Sequence, residues 1–318
     1  MANTSAPFGF SQYSGTGSLP TYEQVQMAIS SSNTGPIFSN DPVTMAAGTT
    51  GVGTGFITQG YGPTVLTVGA TGLTVSANGV LTVTFTAPSS GVPTSPNTWA
   101  PPVGSQIVVA GATTAGASVN GVYTVTSSTT TTAVCAAVGG FTASVTSTAS
   151  GTVTLYVPIT GVFVGCKYLS VSQKRTVWSN YWPGSDANTA ASVTAYVVND
   201  PNAQFVVQTA NSNTTSSAVG VSAVGQNIGF NYSVSGASPA STNGNTATGL
   251  STYFADQYTL TTPGGYQPLL PFRVVALANW TADGSNPLQS INGNDYTSAY
   301  NRIVVGFNNM MLKQFYGI

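Results

Sequence analysis

Tyrosines aside, seven carboxylates, six cations, two thiols and no histidine are all that this 318-residue chain offers to proton-transfer or nucleophilic chemistry. Without imidazole, Ser-His-Asp and Cys-His catalysis are excluded, as are zinc sites built on histidine. No G-x-S-x-G elbow, Walker loop or complete G-x-G-x-x-G occurs; Gly53-Thr54-Gly55 fails at Thr58. What survives is carboxylate chemistry, because glycoside hydrolysis needs only two Asp or Glu side chains close together. Asp186, Asp200, Asp256, Asp283 and Asp295 are the candidates. All five lie near Gly, Asn or Pro, as turn-capping aspartates do, and that reading outweighs the catalytic one. Cys135 and Cys166 sit in apolar runs without the paired spacing of a metal site, so they read as buried, inert thiols. No enzyme activity, cofactor or metal is expected.

The scarcity of charge is informative in itself. Asp, Glu, Lys and Arg make up 4% of the chain, against about a quarter in an average soluble protein. Such a chain must cover itself with neutral polar groups or bury its surface against partners, which points to a part of an assembly. All six cations (Lys167, Lys174, Arg175, Arg273, Arg302 and Lys313) fall in the second half. Residues 42–166 carry no charge at all. Phosphate neutralisation of a nucleic acid and polybasic contact with a membrane are therefore not expected. Gly, Thr, Ser, Asn and Pro interrupt the uncharged stretch too often for a membrane span. The first residues show neither a basic start nor an apolar segment, so no secretory signal is expected, and the sequons at Asn3, Asn213, Asn231 and Asn279 carry little weight. Synthesis and assembly in a cytosol fit best.

With 42% hydrophobic residues and a net charge of −1, the chain is not of the highly charged disordered kind. Leu81, Val83 and Phe85 alternate with Thr82, Thr84 and Thr86, giving one apolar and one hydroxyl face. Similar runs occur at 106–110, 122–126, 152–157, 192–199, 204–209, 273–278 and 302–307, with Gly and Pro between them. Many short β-branched runs predict an all-β protein, with a sandwich or barrel-like main domain. One helix is expected, from the capping-box shape of Thr21-Tyr22-Glu23-Gln24 with Tyr22, Val25 and Ile29 following. Asn40-Asp41-Pro42 recurs as Asn199-Asp200-Pro201 and reads as two similar strand-entry turns. The charge-free stretch 61–150, with Asn120-Gly121 as a hairpin signal, reads as a small β module inserted into a main domain of 21–60 and 151–318.

Residues 1–20 read as an extended N-terminal arm with Pro7, Phe8, Phe10 and Tyr13 spaced along it, expected to lie on a neighbouring subunit. Lys174 and Arg175 precede a dense aromatic cluster, Trp178, Tyr181 and Trp182. That cluster is either an anchor for a partner or a core edge that keeps its polar tips wet. The segment 310–316 is either a strand or a docking tail.

Several ordered blocks carry a resemblance. The opening Met1-Ala2-Asn3-Thr4-Ser5-Ala6-Pro7-Phe8-Gly9-Phe10, Ile37-Phe38-Ser39-Asn40-Asp41-Pro42-Val43 and Gly161-Val162-Phe163-Val164-Gly165-Cys166-Lys167-Tyr168 are three of them. Val177-Trp178-Ser179-Asn180-Tyr181-Trp182-Pro183-Gly184, the stretch 195–208 and Phe272-Arg273-Val274-Val275-Ala276-Leu277 follow. Together they are similar to head structural proteins of tailed bacteriophages, the cement or decoration proteins. The chain departs from that pattern in lacking basic residues after the opening and in carrying the module. The resemblance implies a virion protein, assembled in the host cytoplasm, that binds the capsid exterior through contacts with the major capsid protein and with copies of itself. A tail, fibre or adhesin-like component contacting a host glycan is the alternative, with the module as the feature that supports it. So few charges predict shell binding that depends weakly on salt. Deleting 2–20 is expected to leave a folded domain without shell affinity, and deleting 62–149 to leave binding intact.

Overall fold

Alternating Val, Ile, Phe and Thr make pleated, half-buried surfaces, and a computed structural model of the chain folds them accordingly. It describes residues 3–14, 24–87, 99–114, 117–188, 191–233, 243–261, 267–278, 294–295 and 297–313. Strand makes up 50% of the structure and helix 4%, so the protein is all-β. The chain divides into two units, one formed by Met1–Val43 with Ile159–Gln314 and the other by Thr44–Pro158.

In the first unit, five strands close on themselves. Gln204–Ala210 pairs with Phe254–Asp256, then come Asn227–Asn231, Phe272–Leu277 and Arg302–Phe307, which returns to Gln204–Ala210. Closure removes the exposed edges that an open sheet would present. The interior is aromatic: Phe205, Phe230, Phe272 and Phe307 meet as stacked or edge-on pairs 5.0–6.4 Å apart. A second sheet of this unit is centred on Gly161–Leu169, flanked by Thr176–Ser179 on one side and Val193–Val198 on the other. Val193–Val198 in turn pairs with Val25–Ile29.

The second unit has its own closed sheet: Thr152–Tyr156, Gln106–Ala110, Gly121–Ser128, Thr132–Cys135, Leu81–Thr86 and Thr64–Val75, which pairs back to Thr152–Tyr156. Leu73, Val83, Ile107, Val125, Val153 and Leu155 fill it. Its limits lie outside the expected 61–150 at both ends, for identifiable reasons. Gly51 accepts from the Val103 N–H at 2.8 Å, and Thr44 Oγ1 donates to the Pro158 carbonyl at 3.0 Å. A cut at 62 and 149 would leave Thr152–Tyr156 without both of its neighbours.

Several expectations change. Val25–Ile29 is a strand, not a helix, because its partner Val193–Val198 offers a ladder that outweighs a short helical pattern; residues 21–23 lie outside the described residues. Asn120-Gly121 does not form a two-residue hairpin turn. Gly121 pairs with Val109 across a longer connection, which Asn120 closes by bonding both backbone groups of Ala112. Met311–Lys313 is a 3-10 turn, and 314–318 lie outside the described residues. The two Asn-Asp-Pro turns also differ: Asp41 is buried with Asn40 at φ 74°, whereas Asp200 caps the N–H of Asn202 nearer the surface.

The arm is the largest correction. Residues 3–14 lie on their own unit rather than standing free for a neighbour. Ser11–Ser14 pairs with Gln204–Val206 on the edge of the same strand whose continuation, Thr209–Ala210, takes Phe254–Asp256. The arm thus completes the wall of the closed sheet. Phe10 is fully buried, stacked on Phe272 at 4.2 Å and edge-on to Phe230 at 6.0 Å. Gly9 turns the chain inward at φ 76°, where a Cβ would lie 2.5 Å from the Ser251 Cβ. Deleting 2–20 would therefore take an aromatic from the core as well as a strand from the wall. Phe10→Ala leaves a cavity and is expected to cost about 3–5 kcal/mol, read as an earlier denaturant midpoint; an unchanged midpoint would place Phe10 outside the core.

Candidate functional site

The hairpin made by Gly161–Leu169 and Thr176–Ser179 carries the exposed features of the first unit. Its outer face follows from register. Lys167 stands opposite Trp178, and Leu169 opposite Thr176. In the next strand, Thr194 faces Lys167 and Tyr196 faces Gly165. Trp178 is 65% exposed, too much for a core aromatic. Its ring stacks on Tyr196 at 5.3 Å with the planes 19° apart, and Lys167 Nζ lies 5.3 Å from its centroid. A Cβ at Gly165 would come 2.9 Å from the Ser179 carbonyl oxygen, so the central strand carries no side chain there. Trp178 is thus held by a flanking ring and a cation rather than by burial.

The turn of this hairpin is rigid. Ser170 N–H donates to the Arg175 carbonyl at 3.0 Å, and Val171 N–H to the Asp186 carbonyl at 2.8 Å. The Asp186 carboxylate accepts from the Ser170 hydroxyl, the Ser172 N–H and the Ser172 hydroxyl. Those bonds, the Ser170 hydroxyl first, hold its carboxyl below the ordinary range. Val171, Lys174 and Arg175 are exposed on the turn, with Arg175 Nε donating to Gln173 Oε1. Lys167, Lys174 and Arg175 are half of the six cations in the chain, and none pairs with a carboxylate among the described residues.

The residues singled out from sequence separate into three groups. Lys174, Arg175 and Trp178 share this hairpin. Trp182 and Phe10 belong to the core; Trp182 is fully buried and donates through Nε1 to the Asn33 carbonyl at 3.0 Å. Tyr181 stacks on Phe38 at 5.4 Å, Phe8 lies under the Arg302 guanidinium, and Pro7 is half-buried. Tyr13, 50% exposed, is the only arm side chain of the four with a mostly free ring. Lys167 and Tyr196 were missed by sequence reasoning. The signal for Lys167 is its place in an alternating run, mirrored across a turn by Trp178. Tyr196 comes from a strand whose register only the fold supplies.

The carboxylates are occupied with turns. Asp200 caps Asn202, Asp295 caps Thr297, and Asp256 accepts from the Ser212 N–H and hydroxyl and the Tyr258 N–H; Asp283 lies outside the described residues. Among the described residues no cluster of three His, Cys, Asp or Glu side chains could hold a metal. Burial pushes both thiols up to about 12, as befits small core hydrophobes. No helix among the described residues is long and apolar enough to cross a membrane.

Among the described residues Asp41 is the one fully buried carboxyl. Its Oδ2 accepts from the Phe38 N–H and from Asn243 Nδ2, each at 2.8 Å, while Oδ1 finds no partner. Desolvation outweighs those bonds and the lowering effect of the neighbouring Ser251 side chain, and pushes its pKa well up. The folded chain therefore keeps the Asp41 proton to a higher pH than the unfolded chain, whose carboxyl titrates near about 3.9. The resulting stability is fully present below that value and is lost as pH rises through the raised folded pKa. Asp41→Asn keeps an acceptor at Oδ2 without the titration. Wild-type melting temperature relative to this variant is expected to fall from pH 4 to pH 8, and a pH-independent difference would refute the assignment. Comparison of the chain with protein-family models, with curated proteins and with solved structures finds no match to any of them.

Proposed function

We propose that this chain is a virion structural protein that binds the outer surface of a capsid shell and stabilises it, and that the Lys167–Trp178 hairpin is its docking face. The observation that carries the reading is the exposed Trp178 ring on a paired sheet, beside three cations with no carboxylate partner among the described residues, in a chain with few charges elsewhere. Exposed Trp and Arg are the residues that dominate interface energetics when a partner desolvates them. The ordered sequence blocks similar to phage head proteins name the kind of partner. The major capsid protein and further copies of this chain are the surfaces available on such a shell.

The mechanism is binding without chemistry. A protein that binds the assembled, expanded shell and not its unassembled subunits lowers the free energy of that state by mass action. Residues 3–14 are committed to their own unit, so the reading places docking on the hairpin rather than on a free arm. The tail, fibre or adhesin reading keeps one observation in its favour: sugar rings also stack on open aromatic faces such as the Trp178–Tyr196 pair.

The test is co-sedimentation of the purified chain with expanded shells of its own particle that lack it, followed by thermal disruption of the loaded shells. The expected result is saturable retention and a higher disruption temperature. Retention by tails or by host-surface glycan, with none by shells, would overturn the proposal in favour of the alternative.

A further inference from the structure

We infer that the hairpin docks onto a carboxylate-rich patch of a protein surface, which seats Trp178 in an apolar depression ringed by Asp or Glu; this rests on the shell-binding reading above. The argument is charge complementarity within a nearly neutral molecule. Lys167, Lys174 and Arg175 fall within nine consecutive residues of a chain with six cations in all. One carboxylate, Asp186, lies beside them, and its oxygens are engaged by Ser170 and Ser172. Three positive charges against one negative leave a local surplus of two on a molecule whose net charge is −1. Leu169 and Val171 are exposed on the same hairpin, 37% and 46%, so the surface pairs apolar contact with cations rather than being a solvated charged loop.

Lys174 supplies an independent observation. It is held at φ 55°, in the left-handed region where glycine sits without strain and other residues lose stability. A lysine is placed where backbone geometry alone favours glycine, and no described residue takes its ammonium. A cation wanted for an external partner accounts for both facts. The whole-chain charge count hides this concentration, so binding is expected to respond to salt more than the bare composition suggests.

Lys174→Gly separates the two roles of this residue, because it relieves the backbone and removes the charge. The variant is expected to melt no lower than wild type and yet bind shells several-fold more weakly. Lys174→Glu with Arg175→Glu turns the local surplus of two positive charges into two negative ones. It is expected to weaken shell binding by about tenfold or more and to invert the salt response between about 0.05 and 0.5 M NaCl, the variant binding better as salt screens the repulsion. Carbodiimide treatment of loaded shells, which joins an ammonium to a carboxylate in contact, is expected to link Lys167 or Lys174 to Asp or Glu of the shell protein. Wild-type binding with unchanged binding by the double variant, or with no crosslink from Lys167 or Lys174, would overturn the inference and leave the shell-binding reading standing. Failure of the wild-type chain to bind shells would remove both. Retention on polygalacturonate with no retention on shells would assign the patch to an acidic polysaccharide and overturn a protein partner.

Discussion

The seating of Phe10 is the contact on which the first unit depends. Its ring stacks on Phe272 and meets Phe230, so the N-terminal segment supplies a member of the aromatic core. The backbone on either side is committed as well. Gly9 N–H donates to the Tyr253 carbonyl, Phe10 N–H to the Asn40 carbonyl, and Asn40 Nδ2 returns a bond to the Phe8 carbonyl. Asn40 N–H reaches the Phe163 carbonyl, and Phe163 N–H the Asp41 carbonyl. Four segments distant in sequence are thereby tied at one buried turn. Loss of the ring or of the turn would loosen the wall, the core and the strand that leads into the exposed hairpin.

A chain this poor in ions must use neutral groups for its long-range ties, and it uses carboxamides. Gln208 accepts the Ala6 N–H and donates to the carbonyls of Thr4 and Tyr300. Asn301 bonds both backbone groups of Val219 and the Thr209 hydroxyl. Asn294 spans the Ala278 carbonyl and both backbone groups of Arg302. An amide offers a donor and an acceptor in one plane, as a peptide does, and satisfies buried backbone without the desolvation cost of a charge. Stability built this way is insensitive to ionic strength. It also leaves the described cations of the hairpin, Lys167, Lys174 and Arg175, on the outer surface.

That division gives the proposed docking face its character. The rest of the described surface is mostly hydroxyl, amide and small apolar groups, so the Lys167–Trp178 hairpin stands out electrostatically against a quiet background. A partner meets few competing charges, and the orientation of docking is set by one face. The sheet behind it is rigid where it matters: the hairpin is paired on both sides of its central strand, and its turn is pinned by Asp186. Little ordering is then left for the moment of binding, which keeps the entropic cost of association low.

Composition and residue pattern by themselves determined the all-β class, the absence of imidazole chemistry, the inert thiols and most central strands; 106–110 and 302–307 were legible to the residue because a short β-branched apolar run bounded by turn residues is a local property. The sequence also pointed to Lys174, Arg175 and Trp178, since their rarity is visible without a fold. Tertiary structure decided what local pattern cannot carry. Val25–Ile29 became a strand because a partner 164 residues away offers a ladder, as Val193 opposite Ile29 shows. Phe8, Phe10 and Tyr13 look alike in an extended segment, and only the packed core distinguishes the buried ring from the covered and the open one. The Trp178–Tyr196 pair likewise exists only through register, which places side chains from separate strands on one face of a sheet.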